Sequence, residues 1–426
     1  MRKTRYALIG TGHRAIFFYG SLARDYRETT ELVAFCDTNR IRMDYANRQL
    51  TDRFDHPAIP AYKAEQFEDM IRREKPDCII VTTVDYTHHT YIIRAMELGC
   101  DVISEKPMTV DEEKCQAIID AVKRTGRRLR VAFNYRYSPF NTKIREVLMD
   151  GTIGEVHSVH FEYLLNAVHG ADYFRRWHRD KTNSGGLLVH KSTHHFDLVN
   201  FWLDTHPESV FAMGDLRFYG KENAQKRGIT QFYDRAYGSE AAKGDPFALH
   251  LDQDPFYKEL YLDAEPEDGY QRDQSVFGEG ITIEDTMGVM VRYRNRAILT
   301  YALNAYLPWE GFTVSFNGSK GRLEVKAFER SYLRPDGSED DTPPRKTITV
   351  FPLHAAPYEV PFEEGDGGHD GADPVLTRDL FGDPPPDRFR RAASHIDGAM
   401  SILTGIAGNH SIRTGQPVRI DSLVRF

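Results

Sequence analysis

Short apolar runs alternate with amphipathic stretches through the first third of the chain. The apolar runs are typical of buried strands, and the amphipathic stretches carry apolar residues at helical spacing. Such an alternation favours a parallel, doubly wound sheet. We expect a capping box in which Thr109 caps the last helix of this region and Glu112 provides the acid. The predicted strands are 6–9, 32–36, 78–82, 102–103 and 129–133, and the predicted helices are 65–73, 88–98 and 111–125.

Beyond residue 134 the predicted strands become longer and lose their intervening helices. Runs of strands without helices favour an antiparallel sheet with one packed face and one open face. A helix is predicted from the Ser184-Gly185-Gly186 segment to residue 202, and tight turns at Asn295 and at Asn317-Gly318. The strands are predicted at 156–165, 209–218, 287–294, 296–306, 312–316 and 322–328.

Length and the change of pattern predict two domains, since 426 residues exceed one ordinary hydrophobic core. We place them at 1–134 and 135–426. The second domain contains a polar, acidic segment at about 220–280, which its length suggests to be a structured insertion or lid. Residues 331–388 are rich in proline and acids and are predicted to be extended. An apolar stripe predicts a C-terminal helix at about 388–408, which the Gly408-Asn409 pair would end.

Composition excludes several classes of partner. The formal net charge is −8, which argues against a nucleic-acid-binding surface. No apolar run approaches the ~18 residues of a membrane span, and the apolar stretch before Gly10 is too short for a secretory signal. We therefore expect a cytoplasmic protein. The spacing of its four cysteines matches no zinc or CxxC pattern, so buried reduced thiols are expected at Cys36, Cys78, Cys100 and Cys115.

The first predicted strand is followed by a glycine-rich turn, Gly10-Thr11-Gly12-His13-Arg14-Ala15. This GxGxxA form lets the backbone approach a pyrophosphate, whose charge the next helix N-terminus stabilises. Asp37 lies 22 residues past Ala15 at a strand end, where an acid binds the adenosine ribose hydroxyls. Its carboxylate would repel a 2′-phosphate, so NAD is expected and NADP is less favoured, although Arg40 keeps NADP open. The alternative is a glycine turn in an unliganded α/β domain.

Glu105-Lys106-Pro107 follows the short apolar run of Val102 and Ile103. Ligands bind at the carboxyl ends of strands in open α/β sheets, so Lys106 would face a bound nicotinamide. A lysine beside a cationic ring in a partly dry cleft loses affinity for its proton. Lys106 is therefore a candidate for proton transfer.

These residues resemble the glucose–fructose oxidoreductase / inositol dehydrogenase / MocA family (Gfo/Idh/MocA), and the likeness runs over almost the whole chain. Besides the glycine turn, Asp37 and Glu105-Lys106-Pro107, it comprises three further segments. Thr83-Val84-Asp85-Tyr86-Thr87-His88 is a variant of the family's TPNxxH, 133–139 is similar to FNRRFxP, and Ser184-Gly185-Gly186 also matches. The set implies cofactor-binding roles for Gly10, Thr11, Gly12, His13, Arg14, Ala15, Asp37, Thr83, His88, Glu105, Lys106 and Asn134.

The resemblance also implies a fold and an activity. The expected fold class is α/β: an N-terminal Rossmann domain with a parallel doubly wound sheet, and a C-terminal α+β domain with a large, open, mainly antiparallel sheet. That open sheet often forms oligomer contacts, so a homo-oligomer (dimer or tetramer) is expected. The implied chemistry is NAD(P)-dependent oxidation or reduction of a small carbohydrate or polyol substrate.

One departure from the family pattern concerns the segment after the glycines, which usually reads D-x-G-x-H-x-x-D. Here His194 and Asp197 match, but His190 replaces the first aspartate and Ser192 the glycine, next to a new Lys191. Two hypotheses stay open: the substrate is anionic, or the proton relay differs.

On one helix, His190, His194 and Asp197 would share a face. As hydride leaves a carbinol carbon, His194 or Lys106 would take the hydroxyl proton; we predict His194 as acid/base and Lys106 as the group that polarises the oxygen. His190 would orient the substrate. No metal is expected, because the Lys191 ammonium opposes a cation. Candidate substrate residues, each of which could instead be a packing residue, are Arg136, Tyr163, His169, Arg175, Trp177, His178, Lys191 and Asp197.

The leading prediction is thus an NAD-dependent oxidoreductase acting on a sugar, polyol or sugar-acid hydroxyl carbon. The alternative is a redox-neutral, NAD-dependent glycoside hydrolase or lyase that oxidises, eliminates and re-reduces, with an anionic sugar as one substrate class. A third class, a non-catalytic NAD sensor, is disfavoured by the presence of both Lys106 and His194.

Overall fold

The computed structural model of the chain describes residues 2–330 and 342–426 and contains two sheets. In this part of the chain, all strands of the first sheet are parallel, in the order β3-β2-β1-β4-β5-β6. This order is that of a dinucleotide-binding domain and confirms the predicted parallel, doubly wound sheet. The strands are β1 (Thr4–Ile9), β2 (Thr30–Asp37), β3 (Ala61–Lys63), β4 (Cys78–Val81), β5 (Asp101–Ser104) and β6 (Leu129–Val131).

Helices cover both faces of this sheet. They are α1 (Ala15–Arg24), α2 (Arg40–Phe54), α3 (Phe67–Glu74), α4 (His88–Glu97) and α5 (Glu112–Thr125), and α6 (Pro139–Met149) leads to the second sheet. The capping box predicted for Thr109 is wrong. Asp111 caps α5 by accepting a hydrogen bond from the backbone N–H of Lys114 at 2.8 Å. A carboxylate is favoured there because its charge also complements the helix N-terminus.

The second sheet is mixed and mostly antiparallel, as predicted, in the order β14-β13-β12-β11-β7-β10-β9-β8-β15 over the described residues. β7 and β10 form its one parallel pair there. The strands are β7 (Val156–Asn166), β8 (Pro207–Asp215), β9 (Thr286–Tyr293), β10 (Ile298–Leu307), β11 (Glu310–Gly318), β12 (Gly321–Arg330), β13 (Arg345–Pro352), β14 (Tyr358–Glu359) and β15 (Val418–Arg419). The turn predicted at Asn317-Gly318 lies two residues later, because β11 continues through both.

The helix predicted from 184 to 202 is two helices, α9 (Leu187–His190) and α10 (Ser192–Leu203), and a third, α8 (Lys181–Ser184), ends where it was expected to begin. Gly185 and Gly186 both have positive φ and separate α8 from α9, and Lys191 separates α9 from α10. The prediction of one continuous helix that carries His190, His194 and Asp197 is therefore wrong. The helices of this region are α7 (Ala167–Arg175), α8 (Lys181–Ser184), α9 (Leu187–His190) and α10 (Ser192–Leu203).

The segment at about 220–280 is a structured insertion between β8 and β9, without a strand of its own among the described residues. It consists of short helical turns joined by loops. These are α11 (Lys221–Lys226), α12 (Pro255–Tyr257), a π-helical turn (Lys258–Leu262), α13 (Glu265–Asp268) and two 3-10 turns (Glu240–Ala242 and Leu251–Gln253).

The last part of the chain departs from the prediction in two places. Residues 342–388 are not simply extended: they supply β13, β14 and α14 (Ala372–Phe381), since apolar residues of β13 alternate and pair with the edge of β12. The remainder of that predicted segment, 331–341, lies outside the described residues. The C-terminal helix is α15 (His395–Thr414) instead of 388–408. It passes through Gly405 and Gly408 because these glycines let it pack closely on Leu188 of α9, and Gly415 ends it.

α15 also joins the two sheets. Just before this helix, the carbonyl of Ala393 accepts a hydrogen bond from the backbone N–H of Val131 in β6 at 3.2 Å. Within the helix, His410 lies 2.8 Å from Glu112 at the start of α5. Across the described residues, no helix combines the length and apolar character needed to cross a bilayer.

Candidate active site

The glycine turn after β1 has the geometry that a dinucleotide requires. Gly10 has φ +92°, and a Cβ there would lie 2.7 Å from backbone atoms of Thr82 and Thr83. A Cβ on Gly12, in contrast, would meet no atom within 4 Å. The open space therefore lies in front of Gly12, at the N-terminus of α1, where a pyrophosphate would approach. The predicted residues fit the cofactor.

Asp37 closes this turn from the end of β2. Its Oδ2 accepts hydrogen bonds from the backbone N–H of Thr11 at 2.5 Å and from its hydroxyl at 2.9 Å. Its Oδ1 accepts from the backbone N–H of Asn39 at 2.9 Å. Asp37 thus fixes the glycine turn in addition to its expected role toward a ribose. The neighbouring Arg40 guanidinium is held by Asp44 at 2.9 Å.

Two other predicted cofactor residues, Arg14 and His88, contact Glu105 and Pro107, which flank Lys106 in the chain. Arg14 of the glycine turn donates from Nε to Glu105 at 2.5 Å, which joins α1 to the loop after β5. His88 has its two ring nitrogens 2.8 Å from the carbonyl of Pro107 and 3.0 Å from that of Thr83. Asn134 lies further along and donates to Asp373 at 3.0 Å.

Lys106 stands at the carboxyl end of β5 and reaches the second domain. Its Nζ lies 3.4 Å from the backbone carbonyl of His190. Burial lowers the pKa of Lys106 to about 8, although Glu105 and Asp85 favour its charged form. Its proton is therefore exchangeable close to neutral pH.

A buried contact between Asp85 and His190 also links the two domains, and Asp85 is a site residue that the sequence analysis missed. His190 Nδ1 lies 2.5 Å from Asp85 Oδ2. Burial raises the pKa of Asp85 and lowers that of His190. A signal for the pair was present: Asp85 replaces the asparagine of TPNxxH and His190 replaces an aspartate, so two departures from the family pattern compensate each other.

His194 is buried and stacks on Tyr135, with ring centroids 4.2 Å apart. Burial, followed by the charges of Lys106 and Lys191, lowers the pKa of His194 well below its ordinary value. The imidazole is therefore neutral at pH 7, the state in which one ring nitrogen is a hydrogen-bond acceptor. Its Nδ1 contacts no hydrogen-bond partner among the described residues.

Lys191 lies in a buried polar cluster beyond His194. Its Nζ is 3.5 Å from the Tyr135 hydroxyl and 4.9 Å from the centre of the Tyr163 ring. Tyr163 donates to Glu329 at 3.0 Å. Tyr135 and Glu329 were not predicted: Tyr135 stands in the 133–139 segment at the position of an arginine of FNRRFxP, and Glu329 stands in no motif. The cluster offers both a cation and acceptors to a hydroxylated ligand.

His169 extends this cluster through Glu310, which was also not predicted. Its Nδ1 lies 2.7 Å from a Glu310 carboxylate oxygen, and its Nε2 lies 3.1 Å from the Tyr173 hydroxyl. Burial alone would raise the pKa of Glu310, but His169 lowers it to about 2. Trp177 and His178 stack on each other, and the His178 ring lies edge-on to His190 at 4.2 Å. These residues form the wall next to His190.

Two predicted substrate residues, Arg136 and Asp197, face each other in the interior. Arg136 donates to both carboxylate oxygens of Asp197, at 2.7 and 2.6 Å, and to Asp397 at 2.9 Å. Burial raises the pKa of Asp197 to about 6 although Arg136 opposes this. The pair lies apart from Lys106 because α10 turns Asp197 toward α15. Arg175 is separate too: it donates to the carbonyl of Phe247 at 3.0 Å beneath the insertion.

The insertion reaches the cofactor side of the first domain. The Phe256 ring lies edge-on to His13 at 4.8 Å, and the Tyr261 hydroxyl lies 3.4 Å from the His13 backbone nitrogen. Asp268 pairs with Arg42 of α2 at 2.5 Å, and Asn39 donates to the carbonyl of Ala264 at 2.9 Å. The insertion therefore covers the side where Asp37 and the glycine turn lie.

Comparisons with protein families agree with this architecture. Residues 4–133 match the NAD-binding Rossmann fold of the oxidoreductase family GFO_IDH_MocA, and residues 145–420 match its C-terminal alpha/beta domain. The two matches together span both domains.

Individual relatives are also oxidoreductases by name. YteT of Bacillus subtilis, named as an oxidoreductase, is 36% identical over 386 residues, which cover 86% of this chain and 87% of the relative. Inositol 2-dehydrogenase of Rhizobium meliloti is 32% identical over 136 residues, 32% of this chain and 39% of that protein. The WlbA dehydrogenase of Bordetella pertussis, solved with NADH and UDP-GlcNAcA, has the same fold, with a TM-score of 0.64 at 18% identity over 98% of this chain and 99% of that one.

Proposed function

Because this chain belongs to the Gfo/Idh/MocA oxidoreductase family, we propose that it transfers a hydride between NAD and the hydroxyl-bearing carbon of a sugar, polyol or sugar acid. The observation that carries this proposal is the meeting of the two domains at Lys106. Its ammonium extends from the dinucleotide-binding domain to the backbone of His190, and its charge acts on His194.

NAD is favoured over NADP by two contacts. The Asp37 carboxylate lies at the end of β2, where a ribose would bind, and would repel a 2′-phosphate. The Arg40 guanidinium, which could accept such a phosphate, already pairs with Asp44.

The side chains divide the chemistry as follows. The bound nicotinamide supplies the hydride acceptor or donor. His194 is neutral and takes the hydroxyl proton during oxidation, while the Lys106 ammonium donates a hydrogen bond to the same oxygen as it becomes a carbonyl. Asp85 acts as a positioning residue, because its contact with Nδ1 fixes the orientation of the His190 ring.

Lys191 and its cluster would bind the remainder of the substrate. A buried ammonium beside two tyrosines and two glutamates suits a ligand with several hydroxyl groups, and the ammonium also suits a carboxylate. We include sugar acids in the substrate class for this reason. We further propose that the protein works as a homo-oligomer through the open face of the second sheet.

The redox-neutral glycoside hydrolase or lyase is the second candidate, and one observation favours it. The insertion contacts both the glycine turn and α2, so a dinucleotide beneath it would exchange slowly. Slow exchange suits a cycle in which NAD would be reduced by the substrate and then re-oxidised without leaving.

A panel experiment separates the two candidates. The protein is incubated with NAD and a set of aldoses, polyols, uronic acids and nitrophenyl glycosides, with Lys106→Met as the control for contaminating activity. Stoichiometric NADH identifies a dehydrogenase, whereas aglycone release without net NADH identifies the redox-neutral enzyme. NADH formation that is equal in wild type and Lys106→Met would contradict the proposed chemistry.

A further inference from the structure

Three arginines surround one carboxylate between the insertion and α7. Asp172 lies 3.3 Å from Arg175 Nη1, 2.8 Å from Arg176 Nη1 and 3.2 Å from Arg272 Nη2. Among the described residues, Asp172 forms every ion pair of these three guanidinium groups. The cluster therefore carries two positive charges that no protein carboxylate balances.

Several of its donors are unpaired as well as buried. Arg272 is 4% exposed and packs against the rings of Tyr257 and Tyr261, at 5.3 and 5.1 Å. Its Nε and Nη1, and Nε of Arg176, contact no acceptor among the described residues. Burying a charge with unpaired donors is costly unless an anion compensates it. The arrangement is thus unfavourable in the free protein and becomes favourable with a bound anion.

The cluster faces the glycine turn. Burial of the His13 side chain, followed by the positive charges of Arg272 and Arg176, lowers the pKa of His13 to about 4. Tyr261, which packs against Arg272, also contacts the backbone nitrogen of His13. On the other side, burial, followed by the charge of Arg176, lowers the pKa of His178, whose ring lies edge-on to His190. The arginines therefore lie between the glycine turn and the Lys106 site.

We propose that Arg272 and Arg176 bind the pyrophosphate of the dinucleotide from the side opposite the glycine turn. This inference rests on the proposed function and assigns a task to the insertion: it delivers Arg272 to the cofactor. The two negative charges of a pyrophosphate match the two excess positive charges of the cluster. Guanidinium groups also suit phosphate oxygens because they donate in a planar fork.

A carboxylate on the substrate is the other source of an oxyanion for this cluster. The position beside His13 favours the pyrophosphate, because His13 belongs to the turn at the N-terminus of α1. Binding of NAD and ADP-ribose, which carry the pyrophosphate, can be compared with binding of adenosine, which lacks it, and of glucuronate, which carries a carboxylate alone.

The test uses Arg272→Met and Arg272→Lys, with Lys243→Ala as the matched control. Lys243 is an exposed cation of the same insertion and pairs with Glu240. Arg272→Met is expected to weaken NAD and ADP-ribose binding by about tenfold to hundredfold, the loss of one or two charge-assisted hydrogen bonds. Adenosine affinity stays unchanged, Arg272→Lys is intermediate, and Lys243→Ala binds like wild type.

Thermal unfolding separates this role from a structural one. An anion-binding Arg272 predicts that the ligand-free Arg272→Met protein unfolds at or above the wild-type temperature, with a smaller NAD-induced increase. If Arg272→Met does not fold, Arg176→Met repeats the comparison at the half-buried member of the pair.

Three results would overturn the inference. One is NAD and ADP-ribose affinity within about twofold of wild type in the folded variant. The second is an equal loss of adenosine binding, and the third is a loss confined to glucuronate. Failure of the proposed function is distinguishable, because it appears in wild type itself, as absent NAD binding or as NAD binding without NADH formation or aglycone release in the substrate panel.

Discussion

Gly10 and Gly12 stand two residues apart in one turn but have different surroundings. A side chain on Gly10 would collide with the backbone of Thr82 and Thr83, whereas one on Gly12 would enter open space. We expect Gly10→Ala to destabilise the fold, by about 1–3 kcal/mol from its positive φ alone. Gly12→Ala should keep the wild-type thermal midpoint and lose NAD affinity, because its methyl group occupies the approach of the pyrophosphate. Thermal unfolding and NAD titration measure both, and wild-type NAD affinity in Gly12→Ala would refute this placement of the cofactor.

The charge of Lys106 predicts the pH dependence of turnover. Its pKa is lowered to about 8, so the ammonium dominates below that pH and is lost as the pH rises through it. The pKa of His194 is lowered too, so the imidazole stays neutral across the neutral range. Because oxidation needs charged Lys106 and neutral His194, kcat should decline above about pH 8 and change little between pH 6 and 7.

Lys106→Arg provides the control for this pH profile. An arginine keeps its charge throughout the range, so any residual activity of the variant should lack the decline at alkaline pH. The same alkaline decline in Lys106→Arg would assign it to another group.

At this scale the sequence predicted residues that stand in local motifs. The glycine turn, Asp37 and Lys106 each have a neighbour in sequence that defines their geometry. The contact of Asp85 with His190 joins residues 105 apart, so no local pattern places them together. It could have been inferred only by reading two departures from the family pattern as a pair.

At the scale of elements, Arg136 holds α10 to α15. It bridges Asp197 of α10 and Asp397, which belongs to the capping box at the start of α15. Removing one member of a buried ion pair leaves an uncompensated charge, so Arg136→Met should lower the free energy of unfolding by about 3–5 kcal/mol. Urea unfolding measures this, and Arg136→Met with Asp197→Leu should recover part of the loss. A single variant as stable as wild type would show that the pair does not hold the two helices.

The predicted elements agree with the structure where apolar residues recur at a clear spacing. They differ where packing against other elements determines the residue at which a helix ends. The strands that were predicted lie close to their observed positions because their side chains alternate or run apolar, whereas β3, β13, β14 and β15 were not predicted. α15 extends beyond Gly408 because that glycine meets a neighbouring helix, which a sequence pattern does not show. The break between α9 and α10 at Lys191 was likewise not predicted, because that residue is neither a glycine nor a proline.

For the whole molecule, the open face of the second sheet predicts an oligomer. Met213, Met290 and Ile298 lie on the neighbouring strands β8, β9 and β10 and are exposed. Exposed apolar side chains grouped on one face mark an interaction surface. Met290→Arg should therefore shift the protein toward monomer in size-exclusion chromatography with light scattering.

Met149→Arg is the matched control for the oligomer. Met149 is 46% exposed and Met290 52%, but Met149 lies at the end of α6, away from this face. Equal masses for the two variants and wild type would exclude the open face as the interface.

The position of the insertion was the main whole-molecule feature that the sequence did not predict. Its composition indicated a structured segment. Its contacts with the first domain, however, join residues that are far apart in sequence: 248 positions separate His13 and Tyr261. Contacts so distant in sequence arise from the packing of the two domains. The order of the domains and the class of each sheet, in contrast, followed from periodicity.

The most direct measurement follows NADH formation in wild type, Lys106→Met and His194→Gln with the best substrate of the panel, after NAD binding has been titrated for each. We predict that all three proteins bind NAD with similar affinity. Wild type should form NADH, and each variant should be slower by about a hundredfold to ten-thousandfold. Either variant forming NADH at the wild-type rate would contradict the claim that Lys106 and His194 act on the same hydroxyl group.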